Sequence, residues 1–378
     1  MPEPFKNLIN PALVRACGDH LQRAWRDFDR RGFERLALHG LGELEMKARA
    51  MQIADALEAT LPDDFDRAAG VIETALAPAA AGDEIDFRIT DAGLAGWIGW
   101  PLGEFIARRG QAMPERGLQA LHALTQRFTG EFAIRPYLVN HFARTLDTLS
   151  RWQHDPSAHV RRLVSEGSRP RLPWGLQLKS LIADPSPTLP LLEALLDDPS
   201  EYVRRSVANH LNDIAKDHPH VVAEWLERHL PDAPPERRAL LKHASRTLVK
   251  RGDRRVLAAW GLATPLRGSA EVRVVPAAPR RGGTMTIEVV LRATGARPQR
   301  LVVDYALRRG SSDGSENGAR GKVWKGWALE LAGGEARTLR KQHSWRPVTT
   351  RVDRPGPHVL ELLVNGRAVA RAPFTLRP

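Results

Sequence analysis

The chain has 378 residues, 42% of them hydrophobic, which is enough for two or three domains rather than one core. Its single cysteine, Cys17, excludes an internal disulfide framework and an all-cysteine zinc site, and fits a reducing compartment. The net charge of +12 and a pI near 10.4 point to an anionic partner, most often nucleic acid; the plainer reading is a chain from an arginine-rich proteome.

In chain order, the opening MPEPFKNLINPALVRAC breaks up the apolar run that a signal peptide needs, and nothing later reads as a membrane span. The expected location is the cytoplasm. Residues 1–262 read as helices: LGELEMKARAMQIADALEATL and PERGLQALHALTQRF carry apolar residues at three-and-four spacing. Proline and aspartate punctuate them, as in HDPSA, DDPSE and LPDAPPERR, where a helix start tolerates a missing N–H.

Two of these starts are copies. D-P-S-x-x-V-R-R occurs at Asp155 and again 43 residues later at Asp198, a period expected of HEAT-type helical pairs; PDAPPERRALLKHASRTLV reads as a degenerate third copy. Such repeats stack into a solenoid with a concave binding face. Val203, Val207, Leu211 and Ile214 form one core-facing stripe, which places Arg205, Asn209 and Asp213 on a polar face about 200° away. Arg162, with Glu166 one turn on, holds the equivalent place in the first copy.

After the linker 263–270 the period changes to two. TMTIEVVLRA, QRLVVDYALR, KVWKGWALEL and HVLELLVNGRAVARAPFTL read as strands, with Asn365-Gly366 a hairpin signal. Residues 271–378 are therefore expected to form an Ig-like β-sandwich without its disulfide. The fold class is multidomain: an all-α HEAT-like solenoid followed by an all-β sandwich. From Arg280 to Pro378 there are 19 Lys/Arg against 8 Asp/Glu. The basic segment RRGSSDGSENGARGK between two strands is either a DNA-contacting finger or a plain hairpin tip.

No histidine grouping, including His218 and His220 in DHPH, has metal-ligand spacing, and no glycine-rich phosphate loop, Walker lysine or nucleophile elbow appears. No metal or cofactor is expected, which leaves carboxylates and water for any chemistry. Arg161, Arg162, Arg169, Arg171, Arg204 and Arg205 are candidates to track a phosphate backbone; the competing reading pairs them inside the repeats, for example Arg162 with Glu166. Trp97, Trp100 and Trp152 read as packed. Trp174, in GSRPRLPWG where helical spacing stops, presents its indole either to a sugar or base or to a gap between repeats. Glu131 is a lone acid in an apolar stretch, and the ordinary reading of it is a helix-start acid or an i+4 partner of Arg135.

EFAIRPYL, HVRRLVSEGSRPRLPW and DPSEYVRRSVANHLNDIAKDHP resemble the AlkC branch of the HEAT-like repeat DNA alkylation repair glycosylases, relatives of AlkD. The resemblance covers most of the chain and includes the C-terminal Ig-like domain. It implies a monofunctional glycosylase that removes cationic alkylated bases, chiefly 3-methyladenine, from double-stranded DNA without classical base flipping. By the same carry-over Glu131 is the catalytic carboxylate, Arg162 contacts DNA, Trp174 packs beside the lesion's deoxyribose and Asp213 is a further acid, with Asp217 close by. Lys179 is not expected to form a Schiff base. Arg308, Arg309, Arg320 and Lys322 are candidates for DNA contact from the second domain. The expected state is a monomer. The competing functions are a catalytically inert DNA-binding HEAT scaffold and a protein-binding solenoid.

Overall fold

The computed structural model describes residues 4–79, 82–83, 89–309, 321–347 and 354–378. Helices occupy the chain as far as Ala259, and strands begin at Gly268. Two compact units result, one from Met1–His218 with Ala233–Ala244 and the other from Pro219–Asp232 with Ser245–Pro378. Among the described residues no helix is long and apolar enough to cross a membrane.

In the first unit the repeat copies pack in succession: helix Ala158–Gly167 against Glu201–Asp217, and that against Pro235–Ala244. The stripe of Val203, Val207, Leu211 and Ile214 is 0–1% exposed, so the apolar period buries one face as the spacing predicts. The polar face behaves differently from the expectation. Arg205 is exposed, Asn209 is half-buried, and Asp213 is only 1% exposed. A 17-residue helix set between two neighbours is covered on more than one side, which takes Asp213 out of solvent.

The repeated D-P-S-x-x-V-R-R has a local structural cause. Each aspartate accepts from the backbone N–H of the serine two residues on, Asp155 from Ser157 at 2.8 Å and Asp198 from Ser200 at 2.9 Å. The first arginine of each pair then folds back onto the same turn. Arg161 Nη1 donates to the Asp155 and Pro156 carbonyls at 2.9 and 3.0 Å, and Arg204 Nη1 to those of Asp198 and Pro199 at 2.5 and 2.9 Å. Arg161 also grips the Asp198 carboxylate of the next copy with two hydrogen bonds, 2.7 and 3.0 Å. The first arginine is thus a clamp within and between repeats, and the second is the one left for other work.

Among its described residues the second unit has seven antiparallel strands: β1 (Gly268–Val275), β2 (Thr284–Ala293), β3 (Gln299–Arg309), β4 (Val323–Leu331), β5 (Ala336–Ser344), β6 (Gly356–Val364) and β7 (Arg367–Leu376). They form two sheets, ordered β1-β2-β5 and β4-β3-β6-β7, around a core that includes Ile287, Val289, Val303, Tyr305, Leu360 and Leu362. This is the expected Ig-like sandwich. The β6–β7 turn is Asn365-Gly366, with φ of 49° and 71°, the two positive values that a two-residue hairpin needs. Strands β1 and β5 were not among the four expected segments, because GSAEVRVV and ARTLRKQHS alternate charged with small residues and bury little.

The clamp predicts unequal arginines. Arg161→Leu strands the Asp198 carboxylate, which is 3% exposed, and should lower stability to denaturant by about 3 kcal/mol. Arg205→Leu, on the surface, should stay within about 0.5 kcal/mol of wild type. Urea unfolding followed by helical circular dichroism reads both.

Candidate active site

The helix Pro114–Thr125 ends and the chain turns through Gly130, where a Cβ would lie 2.5 Å from Thr125 Oγ1. Only glycine fits so close an approach. The turn delivers Glu131 to a cleft of about 450 Å³. One wall is aromatic, built from Trp97, Trp100, Phe128 and Phe132, with Trp100 and Phe132 stacked at 5.2 Å. The other is charged, built from Arg162, Glu166 and Arg169, with Tyr202 beside them. Trp174 stands on the lining with 71% of its surface exposed, in a left-handed backbone conformation (φ 63°).

Glu131 is held on one oxygen. Oε2 accepts from Arg162 Nη1 at 2.5 Å and from the Thr129 hydroxyl, while Arg162 Nη1 also donates to Thr129 Oγ1 at 2.9 Å. Among the described residues nothing bonds Oε1, so it is available to a ligand. The side chains of Glu131 and Arg162 are 12% and 16% exposed. From Arg162 an alternating row of charges runs inward: Glu166 at 3.6 Å, then Arg169 at 2.5 Å from Glu166, then Asp213 at 2.8 Å from Arg169, closed by Lys216 at 2.8 Å. Ser206 Oγ donates to the second Glu166 oxygen at 2.6 Å.

The row favours the charged forms of Arg162, Glu166 and Arg169. Burial alone would depress Arg162, but the charges of Glu131, Tyr202 and Glu166 outweigh it and raise its pKa. Burial would likewise raise Glu166, yet the guanidinium groups of Arg162 and Arg169 hold its carboxyl below the ordinary value of 4.5. Arg162 also lies over the Tyr202 ring, 5.0 Å from its centroid, which fixes the guanidinium from the face that carries no carboxylate. The arrangement is a carboxylate paired with a guanidinium in an aromatic-walled cleft, suited to stabilising positive charge that develops beside it.

Residues 130–248 match the family described as DNA alkylation repair enzyme, and 269–378 match the C-terminal Ig-like domain of the uncharacterised protein YhaZ. The chain is 32% identical over 370 residues to the uncharacterized protein YhaZ of Bacillus subtilis (strain 168), covering 96% of each. It also superposes on the Pseudomonas fluorescens alkylpurine DNA glycosylase AlkC bound to DNA containing an abasic site analog, with a TM-score of 0.88, 34% identity and 100% of both chains covered. The chain belongs to the AlkC-type family of DNA alkylation repair enzymes. The family match starts one residue before Glu131 and spans Arg162, Trp174 and Asp213. Trp97, Trp100, Phe128 and Thr129 lie outside it, although they build the cleft wall and hold Glu131.

Of the residues singled out from the sequence of this AlkC-type chain, Glu131, Arg162, Arg169 and Trp174 meet in the cleft. Asp213 does not line it and reaches it only through Arg169. Arg162 is turned towards Glu131 and Glu166, and Glu131 takes Arg162 as its cation, not Arg135. Arg171 makes a two-bond pair with Asp217 at 2.7 and 2.8 Å, and Arg161 is the clamp described above. Arg205 is exposed on its helix and lines no part of the cleft. In the second unit Arg308 pairs with Glu361 at 2.8 Å, and Lys322 is exposed with its ammonium 4.4 Å from the Trp324 ring centroid. Arg320 and the Arg309 side chain lie outside the described residues. The sequence reading placed Trp97 and Trp100 in the core and did not single out Tyr202, Phe132 or Thr129 as site residues. The usable signal was Tyr202, which replaces His159 at the matching position of the repeat.

His210 braces this scaffold, its Nδ1 2.9 Å from Ser165 O and its side chain fully buried. Burial pushes its pKa down to about 4. The unfolded chain then binds the extra proton between about pH 4 and the ordinary 6.5, so stability from this group rises with pH across that window and is lost as pH falls through it. Unfolding free energies from pH 4 to 7 should climb in wild type, and His210→Gln should flatten the climb.

Proposed function

We propose that the protein is a monofunctional DNA glycosylase that hydrolyses the N-glycosidic bond of cationic alkylated purines, chiefly 3-methyladenine, in duplex DNA. The observation that carries this reading is the cleft itself, where a carboxylate paired with Arg162 through one oxygen shares the lining with an aromatic wall and an exposed indole. A purine alkylated at N3 is already positively charged and leaves without a general acid. Positive charge develops at the sugar as the bond lengthens. Glu131, with its charge fixed by Arg162, opposes that developing charge and orients water for attack at C1′ through Oε1. The indole face of Trp174 attracts the same cation.

Similarity to an alkylpurine glycosylase solved on abasic DNA supports the reaction class. Lys179 is exposed and outside the cleft lining, consistent with hydrolysis by water rather than through a Schiff base. The 71% exposure of Trp174 suits a lesion approached through its sugar edge with the base left in the stack, without the deep pocket that flipping requires. In this reading Asp213 acts on the reaction through Arg169. Phosphate contacts fall to cations not committed to a carboxylate, with Arg205 and Lys322 the candidates of that kind.

The test is release of free 3-methyladenine from methylated duplex DNA by wild type and Glu131→Gln side by side. Wild type should release base, and the variant should be slower by about 100-fold or more while still binding DNA. Equal release by both would move the carboxylate role elsewhere. No release by wild type would favour an inert DNA-binding scaffold.

A further inference from the structure

Arg135 opens the helix Arg135–Asn140, four residues after Glu131, and its side chain is completely buried. Among the described residues no carboxylate is bonded to it. Nη1 donates to the Gly167 carbonyl at 2.8 Å, Nε donates to the Leu176 carbonyl, and Nη2 is buried without a hydrogen-bond partner among the described residues. Burial and the like charge of Arg169 lower its pKa to about 10. A guanidinium placed this way is unfavourable as mere filling, and an apolar side chain would occupy the space at less cost. What an apolar side chain lacks is two donors aimed at two carbonyls.

Those carbonyls bracket one segment. Gly167 closes the helix Ala158–Gly167, and Leu176 follows Trp174 by two residues. Between them Arg169 and Arg171 tie the first half of the segment to Asp213 and Asp217, and around Trp174 the backbone bonds are Gly175 N–H to Leu172 O at 3.2 Å and Leu178 N–H to Pro170 O at 3.1 Å. Trp174 sits there at φ 63°, a conformation unfavourable for a bulky residue that persists only when its surroundings impose it. Gly175 lies directly on the arginine, where a Cβ would come 3.3 Å from both Cδ and Nε of Arg135.

We infer that Arg135 is a positioning residue that sets the indole of Trp174 opposite the carboxylate of Glu131. One short segment carries both the carboxylate and the strap, so the two sides of the cleft share an anchor. Arg135 does not line the cleft and acts only through the loop. This inference rests on the proposed glycosylase reading for its kinetic consequence, but not for the structural one.

The experiment uses full-length Arg135→Met, Arg135→Lys, Trp174→Ala and the Arg135→Met/Trp174→Ala double variant. Hydrogen exchange across 168–178 should quicken in Arg135→Met while helix Glu201–Asp217 keeps its protection. Arg135→Lys, which retains the charge but not the fork, should behave likewise, and it serves if the methionine variant does not fold. Single-turnover release of 3-methyladenine should fall about 10–100-fold in either Arg135 variant, and the double variant should be no slower than Trp174→Ala alone. Unchanged exchange across 168–178 in both Arg135 variants, or losses that multiply in the double variant, would overturn the inference. If wild type releases no base, the glycosylase reading fails, and the exchange measurement still decides whether Arg135 holds the loop.

Discussion

The cleft depends on Arg162 lying between two carboxylates. It fixes Glu131 at 2.5 Å on one side, approaches Glu166 at 3.6 Å on the other, and rests on the Tyr202 ring. A charge this poorly solvated is stable only when opposite charge surrounds it, and the same holds for the buried Glu166, Arg169 and Asp213. Removing Arg162 in particular would leave Glu131 without its cation. The network gives geometry more than net stability, because well-packed apolar residues would serve stability as well. What it supplies is one carboxylate held in one orientation at the foot of an aromatic wall.

The two arginines of the repeat divide the work. The first, Arg161 or Arg204, ties down its own turn, so the helix that follows starts at a fixed place. The second points out of that clamp. In the first copy it is Arg162 and enters the cleft; in the second it is Arg205 and meets solvent. A single repeat design thus yields one internal and one surface cation, according to what packs against it. The position just before the valine follows the same logic, with Tyr202 of the second copy reaching back to cover Arg162 of the first.

Most of the fold was legible because its signals are local. The stripe at Val203 and Val207, the 43-residue repeat and the Asn365-Gly366 turn each depend on residues close in sequence. The candidate site was legible only in part. Glu131, Arg162 and Trp174 stood out through long motif strings, but the wall contributed by Trp97, Trp100 and Phe128 looks like any buried aromatic cluster, since its role comes from Arg162, Trp174 and Tyr202, which are distant in sequence. The exposure of Asp213 was misjudged for a related reason: helical period tells which residues share a face, but not how many neighbours cover it. Nothing in the sequence marked Arg135 as a strap, because its partners are backbone carbonyls at Gly167 and Leu176.

The central claim is that Glu131 opposes positive charge at the sugar, and charge can be tested without turnover. Affinity should be measured at fixed salt for duplexes carrying either a cationic pyrrolidine or a neutral tetrahydrofuran in place of the lesion's sugar. Wild type should bind the cationic duplex more tightly by about 100-fold, as expected of a site complementary to an oxocarbenium-like state, and Glu131→Gln should lose that preference. Equal affinity of wild type for the two duplexes, or a preference that survives in Glu131→Gln, would contradict the account.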